Sequence, residues 1–442
     1  VGNDGINSSL WSQNWEATSD KRYQGAVNGA FLPSYSLGAD MANKDLKWET
    51  TITRNIGVDF GFFNSRLTGT IDAYWNTTKD LLMKTAIPGI TGFTSTYANV
   101  GQTSNKGIEI ALQGVLVKTR DWNVTAGFNI NFNRGKVDKL ADNVTGLYGT
   151  EWATSSTFPK SDYVLKEGRP VGLVRGLTAD GFYTTDDFTY ENGVYTLKEG
   201  VADVSSAVFP NYHLHNGMNE RPAGQLAYPG MAKFKDLNDD GIINDDDVDV
   251  IGDMTPVHTG GFNINATYKN FDLGLYFNWS YGNEIYNVNK LAALYGYKEG
   301  AVYENKLSIV KDCYKIYDVV NGELVALTTP EQLNAANANA KLPLAYSENG
   351  YVSTLGIEDG SYLRLNTLTL GYTLPKSMLQ KAGISNLRVY GSIYNVFTIT
   401  GYSGIDAEVS TSTSTKTYPQ LGMDWGTYPR ARSFVLGVNL SF

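Results

Sequence analysis

The sequence predicts an all-β chain, about nine antiparallel strands of a large transmembrane β-barrel, and three observations carry that reading. Apolar residues recur at every second position over stretches of roughly 10–15 residues, longer than the five or six of an ordinary globular strand. The links between these stretches are alternately short and long, as in a barrel with tight turns at one rim and long loops at the other. Of 442 residues, 42 % are hydrophobic and only 18 % charged, against about a quarter charged in a soluble domain. No run reaches the roughly 18–20 apolar residues of a membrane helix, which excludes a helical membrane protein but not a barrel, whose strands dilute each apolar residue with a polar neighbour.

Taken in order, the first strand sets Ile56, Val58, Phe60 and Phe62 against Asn55, Gly57, Asp59 and Gly61. The second sets Leu67, Ile71, Ala73 and Trp75 against Thr68, Thr70, Asp72 and Tyr74, and the third Ile108, Ile110 and Leu112 against Glu109 and Gln113. The fourth is the cleanest, with Trp122, Val124, Ala126, Phe128, Ile130 and Phe132 opposite Asn123, Thr125, Gly127, Asn129 and Asn131. A helix would scatter these residues around its axis, whereas a strand sorts them by face. Phe262, Ile264, Ala266 and Tyr268 mark the fifth, and Phe271, Leu273, Leu275, Phe277 and Trp279 the sixth. Residues 362–373 and 387–397 are less regular seventh and eighth strands, and Phe434, Leu436, Val438, Leu440 and Phe442 form the ninth.

The short links are Asn64 and Ser65, then 118–121 and 269–270, with a modest 375–386 segment; the long ones are 82–104, 135–257, 284–359 and 399–430. If Phe442 ends at the periplasmic rim, every short turn falls there and residue 1 lies outside. A complete bacterial barrel has an even strand count, so an odd count predicts that further N-terminal sequence closes the wall, because lipid does not tolerate open sheet edges. Lys and Arg number 36 and Asp and Glu 45, net −9 with no basic block, which argues against a nucleic-acid partner. The single cysteine, Cys313, excludes an internal disulfide. A soluble sandwich or propeller also hides one strand face, but strand length, the nearly uncharged polar face, the aromatic ends (Trp48, Trp75, Trp122, Trp279) and the alternating links favour the barrel.

Several stretches add a family signature: Leu46-Lys-Trp-Glu-Thr50 leading to Asn55-Ile-Gly-Val-Asp-Phe-Gly61, Lys79-Asp-Leu-Leu82, Asn99-Val-Gly101, Asn105-Lys-Gly-Ile-Glu109, and the acidic turn 236–244. Further on come 358–365, Gly371-Tyr-Thr-Leu-Pro375, 401–408, and the ending from Tyr428-Pro-Arg430 to Phe442. In this order, from Leu46 to Phe442, the chain resembles the C-terminal part of SusC/RagA-type TonB-dependent outer-membrane transporters of the Bacteroidota. The resemblance implies a 22-stranded barrel, with residues 1–46 an extracellular loop segment and 47–442 strands and loops. It implies that an N-terminal plug domain and TonB box, which this chain does not contain, belong to the same transporter. It also implies a SusD-like surface lipoprotein as lid, TonB acting through the plug, the N-terminal half of the barrel and outer-membrane lipid as partners, and an oligosaccharide or a peptide as cargo. That is transport and not bond-breaking, and no catalytic residue is assigned. A passive porin or structural barrel, and a soluble calcium-binding adhesion protein, are the alternatives.

Within the 135–257 loop, Asp236, Asn238 and Asp240 occupy positions 1, 3 and 5 of an EF-hand or dockerin-like Ca²⁺ loop, with Gly241 at 6 and Asp247 at 12. The carbonyl of Ile242 is the expected position-7 ligand, and the expected cofactor is structural Ca²⁺, with Mg²⁺ the alternative. Loop aromatics Tyr148, Trp152, Tyr183, Tyr295, Tyr297 and Trp425 are candidate substrate contacts, since aromatic faces stack on sugar rings; the plainer reading of each is loop packing. His213 and His215 lack a third ligand and Cys313 lacks a histidine partner, so both read as ordinary loop and packing residues. Phe442 is the expected barrel-assembly signal, an aromatic closing the last strand.

Overall fold

The computed structural model describes residues 10–13, 15–18, 26–27, 30–31, 34–38, 40–140, 146–149, 152, 157–209, 221–294, 307–345, 350–379, 383–409 and 420–442. A strand stands at each of the nine stretches read from the alternation: β1 (Asn55–Phe62), β2 (Leu67–Ala86), β3 (Ser95–Lys118), β4 (Trp122–Lys139), β5 (His258–Tyr268), β6 (Phe271–Tyr281), β7 (Tyr362–Thr373), β8 (Asn386–Thr400) and β9 (Ser433–Ser441). The residues group into two compact units. One comprises Val1–Leu112, Asn131–Gly146 and Leu165–Val171, and the other Gln113–Ile130, Leu147–Val164 and Gly172–Phe442.

In the first unit β1 and β2 pair antiparallel from Asn55 opposite Tyr74 to Phe62 opposite Leu67. Their turn is tight enough that Phe63, Asn64 and Ser65 all take positive φ, at 55°, 53° and 64°. Strands β2, β3 and β4 run for 20, 24 and 18 residues, about twice the 9–11 that cross a bilayer. The long loop expected over 82–104 is therefore mostly strand, and only residues 87–94 connect β2 to β3. Outside the hydrocarbon both strand faces are wet, so backbone pairing continues after the apolar alternation has faded from the sequence. Side chains brace this outer portion: Gln102 Nε2 and Ser104 Oγ donate to the Asp138 carboxylate at 3.2 and 2.9 Å.

In the second unit β5 to β9 follow one another as an antiparallel meander, each strand beside its neighbour in sequence. The register lines the apolar residues into rows: Ile264 opposite Leu275, Leu275 opposite Leu368, Leu368 opposite Ile393, and Ile393 opposite Phe434. These rows end bare, with Ile399 63 % exposed, Phe434 72 % and Leu436 88 %. Exposed rows on paired strands are what hydrocarbon would cover. The irregularity of β7 and β8 has a local cause. Pairing shifts between Leu365 and Thr367, so the apolar residues change parity from Leu363 and Leu365 to Leu368 and Leu370. On β8, Asn395 takes φ 52°, a left-handed geometry that Asn tolerates better than most residues, and its amide donates to the Ala431 carbonyl at 2.7 Å.

The opposite face is held mostly by uncharged polar groups, with the Arg388 guanidinium and the Asp272 carboxylate paired among them, Nε to Oδ1 at 2.8 Å. Asn265 Nδ2 donates to Asn263 Oδ1 at 3.1 Å, Tyr276 Oη to Asn265 Oδ1 at 3.2 Å, and Asn366 Nδ2 to Asn278 Oδ1 at 2.6 Å. Gly127 leaves room for this network: a Cβ at this position would lie 2.6 Å from the Asn263 amide nitrogen and 2.8 Å from Gln113 Oε1, so a larger residue would make those side-chain ends move aside.

Candidate functional site

The long links of the second unit fold into small sheets. Leu147–Tyr148, Tyr163–Val164, Leu173–Gly176 and Asp249–Asp253 make one of four strands, and Ile357–Asp359, Glu284–Asn287 and Met423–Asp424 one of three. Their core is rich in tyrosine: Tyr163, Tyr183, Tyr195, Tyr228 and Tyr286 are fully buried. Tyrosine suits this role because its ring fills apolar space while its hydroxyl reaches a distant carbonyl. Tyr163 donates to Leu421 O at 2.7 Å, Tyr183 to Ala202 O at 2.6 Å and Tyr195 to Thr328 O at 2.9 Å, tying together segments far apart in sequence.

This packing separates the candidate aromatics. Tyr148 is buried and stacks on Tyr163 with ring centres 5.5 Å apart. Tyr183 is enclosed beneath the Lys233 ammonium, 5.6 Å from its ring, and burial, then the charges of Asp203 and Asp187, push its phenol well above the usual range. Neither offers a free face to a sugar, because each ring is already covered by core contacts. Trp152 and Trp425 are brought together, ring centres 5.2 Å apart at 54°, with Trp425 38 % exposed. Next to it Gly426 N–H donates to Asn289 Oδ1 at 3.0 Å, and Asn289 Nδ2 donates to the Asp424 carbonyl at 3.3 Å. Tyr295, Tyr297, His213 and His215 lie outside the described residues. Cys313 is buried, and burial with the nearby Asp312 charge pushes its thiol up to about 11, which leaves it an unreactive packing residue.

The acidic turn has the backbone of a Ca²⁺ loop. Gly241 takes φ 84°, the Asp236 carboxylate accepts Gly241 N–H at 2.7 Å, and Asp240 Oδ1 accepts Ile242 N–H at 2.8 Å. Asp247 is fully buried and accepts Leu237 N–H at 2.7 Å and Asn244 N–H at 2.8 Å, closing the loop on itself. The donor types and the turn fit a hard cation. Among the described residues, however, no three His, Cys, Asp or Glu side chains are gathered into one cluster, so the carboxylates as they stand serve the backbone.

A charged cluster was not foreseen from the sequence. Arg364 on β7, its side chain 3 % exposed, pairs closely with Asp406 and lies 3.4 Å from Glu408; Arg430 reaches Glu408 at 3.0 Å and Asp406 at 3.9 Å. The Arg364 guanidinium also lies 5.5 Å from the Tyr362 ring. Two cations and two carboxylates thus join a strand to the 401–409 and 428–430 segments. Beside them Glu358 accepts Ser403 N–H at 2.9 Å, Ser403 Oγ at 2.8 Å and Lys290 Nζ at 3.0 Å. Burial alone would raise the Glu358 carboxyl, but the Ser403 and Lys290 contacts outweigh it and hold it below its usual range. The signal available in the sequence was a lone arginine at a polar-face position of a strand; its partners 42 and more residues away were not legible.

Residues 10–227 match the family described as TonB dependent receptor-like, beta-barrel. The chain is 30 % identical over 421 residues to TonB-dependent receptor P3 of Formosa agariphila, covering 94 % of this chain and 36 % of that protein. It is 29 % identical over 408 residues to TonB-dependent receptor SusC of Bacteroides thetaiotaomicron, covering 90 % of this chain and 32 % of that one. It therefore spans about a third of the length of the curated relatives it matches. In fold it is similar to a chain of the RagAB peptide transporter, with a TM-score of 0.68 at 24 % identity over 100 % of this chain and 40 % of the other. These relatives are receptors, not enzymes. The chain carries strands of a TonB-dependent receptor-like β-barrel of the bacterial outer membrane and is similar along nearly its whole length to SusC.

Proposed function

We propose that this chain supplies wall strands and outer loops to a TonB-dependent importer of an oligosaccharide, with a peptide the alternative cargo and a SusD-like lipoprotein as lid. Cargo held between lid and loops would pass to the periplasm when TonB draws on the plug of the whole transporter. The observation that carries the reading is the two-sided wall, bare apolar rows on one face and on the other a mostly uncharged Asn and Tyr network whose charges, such as Asp272 and Arg388, are paired with one another. Such a network offers hydrogen bonds to a neutral, hydroxylated solute without holding it by charge. Trp425, 38 % exposed beside Trp152, is the candidate aromatic read as a stacking surface for a sugar ring. Uptake of labelled glycans by cells producing the whole transporter is expected to stop when TonB is deleted; uptake that persists would mark a passive pore instead. Trp425→Ala is expected to weaken glycan binding about three- to tenfold, measured by titration calorimetry, a change of the size of a stacking contact.

The acidic turn is read as a structural Ca²⁺ site, with Mg²⁺ the alternative, using Asp236, Asn238, Asp240, the Ile242 carbonyl and Asp247. Bound cation would offset the mutual repulsion of Asp236, Asp239, Asp240, Asp245, Asp246, Asp247 and Asp249, seven acids within 14 residues. Chelation is expected to speed proteolysis within 236–249 severalfold, reversed by added Ca²⁺. Cleavage rates indifferent to both would show that the turn holds itself together through its backbone bonds alone.

A further inference from the structure

We propose that the short-turn rim is a binding surface for anionic phospholipid headgroups, made by Lys118, Arg120, Lys269 and Lys376. The charge distribution first points there. The three short links of the second unit (118–121, 269–270 and 374–385) hold five Lys and Arg against one Asp, net +4, leaving 31 Lys and Arg against 44 Asp and Glu, net −13, for the rest of the chain. An acidic protein thus gathers positive charge at one rim.

Geometry places these links side by side. The Asp121 carbonyl accepts Lys269 N–H at 2.8 Å, and the Asn270 carbonyl accepts Thr373 N–H at 2.8 Å, so successive turns are stitched together along the rim. With strands about 4.8 Å apart, neighbouring hairpins repeat at about 10 Å, a spacing comparable to that of packed headgroups. All four cations are exposed, and among the described residues none has a carboxylate within ion-pair distance.

Aromatic rings fix the depth of this rim. Trp122 lies on Tyr268 with ring centres 4.4 Å apart, and Phe271 on Tyr372 at 4.7 Å, at the point where the apolar rows end. Such rings mark the boundary between hydrocarbon and headgroups. Lys269 stands one residue beyond, its ammonium 5.3 Å from the Tyr268 ring, and Arg120 two residues from Trp122. Cations within one or two residues of the aromatic line stand at phosphate level, where unpaired positive charge is complemented by anionic lipid. The short turns of a bacterial barrel face the periplasm, so the leaflet concerned is the one built of phospholipid. The inference rests on outer-membrane placement and does not depend on which cargo is imported.

The test uses the whole transporter extracted from outer membranes, exchanged into bilayer discs of phosphatidylethanolamine with one-fifth phosphatidylglycerol, and native mass spectrometry of the retained lipids. Phosphatidylglycerol is expected to be enriched at least threefold over its bulk share at low salt, and less at high salt. The variant Lys118→Gln/Arg120→Gln/Lys269→Gln/Lys376→Gln is expected to retain both lipids in bulk proportion, while Lys118→Arg/Lys269→Arg/Lys376→Arg keeps the enrichment. Bulk proportions in the unmodified protein, or enrichment unchanged by neutralisation, would overturn the proposal and assign the basic rim to a periplasmic protein partner. Should the neutralised variant fail to assemble, the salt-sensitive enrichment of the unmodified protein and its arginine variant still decides.

Discussion

Leu275→Arg is expected to destabilise the inserted barrel by about 2–4 kcal/mol, the cost of a guanidinium at mid-bilayer on a lipid-facing position. Leu275 lies midway along the β6 row from Phe271 to Trp279 and opposite Ile264 and Leu368, so its side chain has apolar neighbours on both sides and no carboxylate beside it. At mid-row a long side chain also has the farthest to reach for either interface. Denaturant titration of the whole barrel in lipid vesicles measures the effect, with Tyr276→Arg as the control. Tyr276 is the next residue on the strand but faces the polar network through Asn265, so its replacement is expected to cost no more than about 1 kcal/mol, the worth of one hydrogen bond. Equal costs at the two positions would mean that the two faces see the same surroundings.

The second large effect is expected at Arg364. Arg364→Met removes the positive partner of Asp406, whose side chain is only 9 % exposed, and leaves a buried carboxylate short of its main compensation. Breaking a buried pair in this one-sided way costs about 3–5 kcal/mol. Arg430, 3.9 Å from the second Asp406 oxygen, offsets part of that, so the lower end of the range is expected. The readout is local: limited proteolysis of the 401–409 and 420–432 segments should accelerate, since the pair joins them to β7. In Arg364→Met/Asp406→Leu both charges are gone, and much of the protection is expected to return. A double variant as labile as the single one would mean that Arg364 acts through packing on Tyr362 and not through its charge.

The strands were legible because one face of each must meet lipid along its crossing length, and that demand writes a two-residue period into the sequence. It fails where lipid ends. The outer halves of β2 and β3 have no apolar face to announce them, so residues 82–104 read as loop although most of them are strand. The parity change in β7 was visible as irregularity but not interpretable, because a bulge is defined only by the partner strand. Within the candidate site, the acidic turn was legible through local spacing alone, its donors all lying within twelve residues. Tyr148 and Tyr183 could not be told from ligand contacts, since whether a loop tyrosine is covered depends on residues such as Tyr163, Ala202 and Lys233 that the loop later folds against. The pairing of Arg364 with Asp406 and Arg430 was hidden for the same reason.

The outward placement of the apolar rows is tested most directly by spin labels set one at a time along β6, at residues 272 to 278, in the whole transporter with Cys313→Ala, reconstituted in lipid. Relaxation by oxygen, which concentrates in hydrocarbon, and by a water-soluble nickel chelate is then compared position by position. Labels at Leu273, Leu275 and Phe277 are expected to favour oxygen, and those at Asp272, Gly274, Tyr276 and Asn278 the chelate or neither. Labels at Leu273, Leu275 and Phe277 shielded from both reagents would place a second layer of protein over these rows and refute a lipid-facing wall.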